Sequence, residues 1–216
     1  MIDKFDIYDI VTSLLHGTLF LGASFVLFPQ AINNVRPLDI SEVVMSAMFI
    51  SVAYFLGQAI TSISSLLQPF LFLTWGGMPS KIVFGGGFPE KYLSADLIGL
   101  AKKALQKSSD VKLSDAALFS KAMGIARKAE GSLSERHNQM YAYNRTTLCN
   151  LILLLGLFIA SCFHGSCREF GWTAIAATLI CIAFLLLLHW YRAKQRAFYY
   201  VREVLIVAEC ELAGGV

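Results

Sequence analysis

The chain has 216 residues and a formal net charge of +3, and only 15% of its residues are charged. Soluble domains carry about 25% charged residues, so this composition, which is 56% hydrophobic, excludes an ordinary water-soluble domain. The small net charge excludes nucleic-acid binding by charge alone. Five cysteines without a Cys-x-x-Cys pair argue against a zinc-built or disulfide-built domain.

Long apolar runs predict the elements in chain order. Runs without any Asp, Glu, Lys or Arg cover residues 43–75, 146–167 and 170–191, and a further apolar segment extends from Tyr8 to Phe28, before Pro29. A helix needs about 20 apolar residues to cross the hydrocarbon core of a bilayer, which is about 30 Å thick. We therefore predict an all-α polytopic membrane protein with four transmembrane helices, at about 8–28, 43–64, 146–164 and 172–191.

The breaks between these apolar runs predict that the chain is divided into three segments. Residues 1–75 form a transmembrane hairpin, because the Gly76-Gly77-Met78-Pro79 segment breaks the helix that follows the second span. Residues 76–134 form a small helical region. Residues 135–216 form a second hairpin with a helical tail, which we expect to pack on the middle region.

Capping residues predict where the polar-region helices begin. Ser94 and Ser114 are the expected N-caps of two helices, the second of which is predicted to run from Asp115 to about Glu130. A capping box at Ser132 is expected to open a helix that continues unbroken into the third span.

Positive residues near the span ends predict the orientation. Segment 76–145 holds eleven lysines and arginines and the tail adds four, whereas the two opposite links hold only Arg36 and Arg168. The positive-inside rule therefore places the middle region and both termini in the cytoplasm. The alternative is a two-span protein in which residues 8–75 are buried interfacial helices.

Polar side chains within the first two spans are the candidate pore-lining or interhelical residues. His16 lies in the middle of the first span, where an ionisable group is costly and therefore a functional hypothesis. Its alternative is a neutral ring bonded to Ser24, Ser51 or Asn150. The other candidates could line a hydrated path or hold helices together by hydrogen bonds, and they are Ser13, Gln58, Thr61 and Ser62.

Basic residues of the middle region and tail are candidates for contact with lipid headgroups or a partner. They are Lys102, Lys103, Arg127, Lys128, Arg145 and Arg192. We expect the lipid bilayer as one partner, and a cytoplasmic protein or nucleoprotein on residues 80–134 and the tail as another. Cys162 and Cys167 flank a short link, where either a disulfide or two thiols are possible.

Motifs for catalysis are absent from the sequence. Gly85-Gly86-Gly87 lacks the lysine and spacing of a phosphate-binding loop, and His137 and His189 have no ligand partner at metal-binding spacing. We find no Gly-x-Ser-x-Gly signature either. The sequence therefore predicts no enzyme, no cofactor and no metal.

Four short motifs carry a resemblance that covers most of the chain. They are Ala53-Tyr54-Phe55-Leu56-Gly57-Gln58, Trp75-Gly76-Gly77-Met78-Pro79, Tyr143-Asn144-Arg145 and the segment from Phe198 to Leu205. In these motifs the chain resembles a group of small four-helix proteins of the bacterial inner membrane. More loosely, it resembles membrane effectors of phage-defence systems, including retrons, in which release from an inhibitory partner permeabilises the inner membrane.

This resemblance implies a bacterial inner-membrane effector that is held inactive by a cytoplasmic partner and that perturbs the membrane or forms a pore. The alternatives are a scaffold subunit that recruits a soluble partner, and a channel or transporter for small solutes that uses His16. Homo-oligomerisation is expected for the effector and the channel, because four thin spans enclose little space alone.

Overall fold

The computed structural model describes residues 7–30, 41–109, 111–129, 133–164 and 171–214. Within these ranges the chain is helical and contains no strand, which confirms the all-α prediction. The helices are α1 (Ile7–Leu27), α2 (Glu42–Leu66), α3 (Gln68–Thr74), α4 (Pro79–Ile82), α5 (Ala95–Lys107), α6 (Asp115–Ala126), α7 (Ser134–Phe163) and α8 (Trp172–Gly214).

Four of these helices, α1, α2, α7 and α8, are long and apolar enough to cross a membrane. The chain is therefore a multi-pass membrane protein. As the absence of breakers predicted, α7 and α8 are single helices of 30 and 43 residues, longer than a bilayer requires.

Serine N-caps explain the starts of α2, α5 and α6. The hydroxyl oxygens of Ser94 and Ser114 accept hydrogen bonds from backbone N–H groups three residues later, as predicted. After α3 the chain turns at Gly76, whose φ of +87° suits a residue without a side chain. The prediction for α6 was wrong at its end, because the helix stops at Ala126. There the backbone N–H groups of Lys128 and Ala129 both turn onto the Ile125 carbonyl.

The described helices belong to two compact units, each built from two separate segments. Unit 1 combines Met1–Gln68 with Tyr143–Trp190, and unit 2 combines Pro69–Ala142 with Tyr191–Val216. The unit boundaries differ from the three sequence segments, because α7 and α8 each contribute to both units.

Unit 2 has a hydrophobic core of its own, which confirms that the tail packs on the middle region. The ring of Phe198 stacks on Tyr92 with centroids 4.9 Å apart. The tail also buries Val201, Val204, Leu205 and Ala208. The middle region supplies Val83, Phe88, Leu93, Ala101, Leu105, Leu118, Phe119, Ala122 and Ala126 to the same core.

In unit 1, α1 and α2 cross at backbone contact. A Cβ atom on Gly17 would lie 1.7 Å from the carbonyl oxygen of Ala53, and one on Gly57 would lie 1.8 Å from that of Ser13. Only glycine fits at either position. This approach lets short polar side chains on α1 and α2 reach each other across the crossing.

Candidate functional site

A layer of polar side chains is buried in unit 1, and it begins at the crossing of α1 with α2. Ser13 and His16 on α1 are 3% and 1% exposed. The side-chain amide of Gln58 on α2 donates to the Ser13 hydroxyl at 3.0 Å and lies 3.3 Å from the Tyr54 hydroxyl. Three of the predicted polar residues are therefore in this layer.

His16 also connects α1 to α7. Its Nδ1 lies 2.7 Å from the carbonyl oxygen of Thr12, and its Nε2 lies 2.9 Å from the hydroxyl oxygen of Thr147. The side-chain amide of Asn150 donates to the backbone carbonyl of His16 at 3.2 Å.

The ring partners expected for His16 from the sequence were wrong. Asn150 reaches the backbone of His16, and the hydroxyls of Ser24 and Ser51 each donate to a carbonyl of their own helix. The ring instead uses Thr147, whose hydroxyl the sequence analysis missed.

The hydrogen-bond geometry around His16 can be satisfied by either protonation state of its ring. The Thr12 carbonyl can only accept, so the proton of a neutral imidazole is on Nδ1 and Nε2 accepts the Thr147 hydroxyl proton. That hydroxyl also lies 2.9 Å from the carbonyl oxygen of Tyr143, and it has one proton to give. An imidazolium would donate from Nε2 to Thr147, which would then donate to Tyr143. Either state is hydrogen-bonded without movement of a heavy atom.

Arg145 connects α7 to the C-terminal end of α2. Its guanidinium donates to the side-chain oxygens of Ser64 at 3.3 Å, Ser65 at 3.4 Å and Gln68 at 3.0 Å. The end of a helix carries unpaired carbonyls and partial negative charge, which favours a cation there. The residue expected at lipid headgroups or a partner thus makes interhelical contacts within unit 1.

Two further contacts extend the layer. The hydroxyls of Ser64 and Thr146, both buried, lie 3.3 Å apart between α2 and α7. His189 on α8 lies 3.0 Å from the side-chain oxygen of Asn144 on α7. The layer therefore includes side chains from all four long helices.

The remaining predicted polar residues do not join the layer through their side chains. The hydroxyls of Thr61 and Ser62 donate to the carbonyls of Gly57 and Gln58, four residues earlier on the same helix. Ser62 is exposed. Each satisfies its own hydrogen bond, so neither needs a partner on another helix.

A signal for Thr147 was present in the sequence. Tyr143, Thr147 and Asn150 are spaced by four and three positions, so they lie on one face of α7. A polar stripe on an apolar helix is a marker of its buried face, because that is where its hydrogen-bond partners are.

The other predicted contact residues lie on the surface of unit 2. Lys102 forms an ion pair with Asp115 at 2.7 Å and lies over the ring of Phe84. Lys103, Arg127, Lys128 and Arg192 are exposed.

The disulfide remains a prediction, because Cys167 lies outside the described residues, whereas Cys162 is at the exposed end of α7. Among the described residues, no group of three or more His, Cys, Asp or Glu side chains could hold a metal ion.

Comparison with known proteins gives no relative. No family model, no curated protein and no solved structure matches the chain. The residues themselves therefore carry the functional argument.

Proposed function

We propose that this chain is a membrane-perturbing effector of the bacterial inner membrane, with unit 2 and both termini in the cytoplasm. A cytoplasmic partner on unit 2 controls it, and the active state is a homo-oligomer that breaches the bilayer, as in antiphage defence. The observation that carries the proposal is the polar layer buried between apolar helices.

The polar layer allows the helices to rearrange, because each of its interhelical hydrogen bonds contributes little free energy. Interhelical hydrogen bonds in membrane proteins average about 0.6 kcal/mol, so the eight bonds of the layer described above contribute about 5 kcal/mol. Moving a two-state equilibrium from 1:99 to 99:1 takes about 5.5 kcal/mol of differential binding. A partner of ordinary affinity can therefore hold or release such a closed state.

The hydroxyls of Thr61 and Ser62 on α2 do not oppose a rearrangement of the helices. Thr61 and Ser62 carry their hydrogen bonds with their own helix, so they can turn towards water or another copy without losing a partner. Ser13, Gln58 and His16 would exchange their present partners for water in a hydrated path. Opening of the helices would then expose the polar groups of the layer, which lie on several helices, to water.

The charge distribution supports the orientation and the partner. Unit 2 contains fourteen lysines and arginines against nine aspartates and glutamates. This excess is expected on the cytoplasmic side of the membrane. It also suits an acidic partner.

Membrane potential is the test of the effector. The chain is induced alone in bacterial cells, and a voltage-sensitive dye is read before viability falls. We expect rapid depolarisation, weakened by Gln58→Leu, which removes a polar group from the layer. The matched control on the same helix is Ser51→Ala, because Ser51 is exposed and its hydroxyl donates to the Ala47 carbonyl of its own helix. An unchanged potential, with the protein confirmed in the membrane, contradicts an effector that acts when its partner is absent.

A membrane anchor that recruits a soluble partner is the second candidate. It is favoured by the independent hydrophobic core of unit 2, which gives a partner a defined surface to bind. An anchor predicts stable co-purification of the partner with no change in membrane potential. The same dye measurement therefore separates the two functions.

A further inference from the structure

The outward face of α5 carries two apolar side chains beside a row of charges. Leu97 and Leu100 are 44% and 51% exposed, although both are leucines on a helix of a compact unit. Ala101 and Leu105, on the adjoining face of the helix, fill the core. Helical spacing places Lys103 and Lys107 beside the two leucines, and all four side chains are exposed.

The lysines on this face are available to a partner. The ion pair of α5 within the described ranges is that of Lys102, which points to Asp115. Lys103 and Lys107 have no carboxylate within ion-pair distance in the described part of the chain. An exposed lysine that is not held in an ion pair attracts acidic groups at little desolvation cost.

Both ends of α5 are capped by hydrogen bonds with side chains. The Ser94 hydroxyl accepts from the N–H of Leu97 at the start of the helix. At its end, the Lys121 ammonium donates to the carbonyl oxygens of Leu105 and Ser108. A face that is already ordered loses little conformational entropy when a partner binds it.

Residues 111–113, which follow α5, are held by the side chain of Gln106. The Gln106 side chain donates to the Val111 carbonyl at 3.0 Å and accepts from the Leu113 N–H at 3.2 Å. Val111 is 69% exposed, and Lys112 beside it is exposed as well. An apolar side chain next to a lysine thus recurs where α5 ends.

We propose that this α5 face, formed by Leu97, Leu100, Lys103 and Lys107, is the docking surface for the controlling partner. The partner is a protein whose apolar groove receives the two leucines and whose rim presents carboxylates to the two lysines. Leucines three positions apart on a helix are the spacing that such grooves bind. This inference rests on the proposed function and names the surface through which it is regulated.

A protein groove fits this face better than a lipid surface does. A helix that lies on a bilayer needs a broad apolar face, and the broad apolar face of α5 is already occupied by the core of unit 2. Asp96 is exposed close to the lysines and would repel anionic headgroups. A folded partner can place a donor against that carboxylate, which a uniform anionic surface cannot.

Site-specific photo-crosslinking in the native host, with the full chain expressed from its own locus, tests this surface. A benzoylphenylalanine is placed at Leu100, and the control position is Ser120, which is exposed on α6. We expect a protein adduct at Leu100 and none at Ser120. The adduct should disappear when Lys103→Glu and Lys107→Glu are combined. It should persist with the charge-matched pair Lys81→Glu and Lys128→Glu, at exposed positions outside this face.

Binding of the purified cross-linked protein to the full chain in nanodiscs then measures the charge contribution. We expect the Lys103→Glu and Lys107→Glu chain to bind about tenfold or more weakly, with an affinity that no longer falls with salt. Equal affinity of the two charge-reversed chains overturns the docking surface. So does the absence of a protein adduct at Leu100, an adduct of equal yield at Ser120, or a phospholipid adduct, which assigns the face to the bilayer.

Membrane potential recorded in the same cells separates this inference from the function on which it rests. If the cells depolarise but no adduct at Leu100 depends on Lys103 and Lys107, the docking surface is wrong and the effector function stands. A face-dependent adduct, with a potential that stays unchanged after the partner is removed, overturns the effector and supports the anchor.

Discussion

The ring of His16 on α1 lies 2.9 Å from the hydroxyl of Thr147 on α7, although 131 positions separate the two residues in the sequence. This bond and the Gln58–Ser13 bond connect three of the four long helices. The polar layer is therefore a tertiary feature that can be probed one bond at a time.

Thr147→Val should destabilise unit 1 by about 1 kcal/mol, within the range of interhelical hydrogen bonds in membranes, because Nε2 of His16 loses its partner. Thr147→Ser keeps the hydroxyl and should restore most of that loss. Unfolding of the full chain in mixed detergent micelles measures the difference. Thr178→Val is the control, since that exposed hydroxyl bonds only to its own helix. Equal losses for Thr147→Val and Thr178→Val would contradict the assigned bond.

Gly17→Ala should separate α1 from α2, because its Cβ atom would overlap the Ala53 carbonyl. We expect a loss of about 1–3 kcal/mol, the usual range for overpacking. Gly22→Ala on the same helix meets no atom within 4 Å and should be neutral or slightly stabilising. The same unfolding measurement compares the two variants. If both behave alike, the helices do not cross at Gly17.

Phe198→Ala should open the core of unit 2, because this ring is 1% exposed and stacks on Tyr92. Loss of a buried phenylalanine costs about 3–5 kcal/mol. Limited proteolysis of the full chain should then cut between residues 80 and 126 at lower protease concentration. Tyr191→Ala, at a half-exposed ring on the same helix, is the control and should leave the pattern unchanged. Unchanged cleavage of Phe198→Ala would show that the tail does not complete this core.

Acid should weaken unit 2 through His137, which precedes the charge-free part of α7. Burial lowers the pKa of this ring below its ordinary value of 6.5, and the nearby Arg196 lowers it further. Arg136 and Arg202 also lower it, whereas Glu203 raises it. Arg196 Nη1 lies 3.4 Å from His137 Nδ1, an arrangement that a neutral ring accepts and a protonated ring does not.

The folded state therefore binds fewer protons at His137 than the unfolded state does. The contribution of neutral His137 to the free energy of unfolding is complete above pH 6.5. It is lost as the pH falls from 6.5 towards the lowered pKa of the folded state. We expect the Tm of unit 2 in the full chain to fall between about pH 7.5 and about pH 5.5. His137→Gln should make that fall smaller. An identical pH dependence in the variant would show that other groups cause it.

The sequence was sufficient for the four long helices, for the starts of α5 and α6 and for the packing of the tail on the middle region. Capping at Ser94 and Ser114 is a local property of the chain, and so is the length of each apolar run. Apolar side chains at helical spacing mark the buried face of a helix in a unit with a hydrophobic core. In the tail these side chains are Val201, Val204 and Ala208, and all three are buried in the core of unit 2. The expected packing of the tail followed from that pattern.

The sequence by itself thus determined four spans and a helical region that packs with the tail. Only the tertiary structure decided that His16 bonds Thr147, that Arg145 bonds the end of α2, and that the chain divides into two discontinuous units. The physical reason is that lipid tails are as apolar as the interior of a helix bundle. Hydrophobicity therefore determines whether a helix crosses the membrane. The rotation of the helix about its axis and the helices it packs against are determined by contacts between side chains that are far apart in sequence.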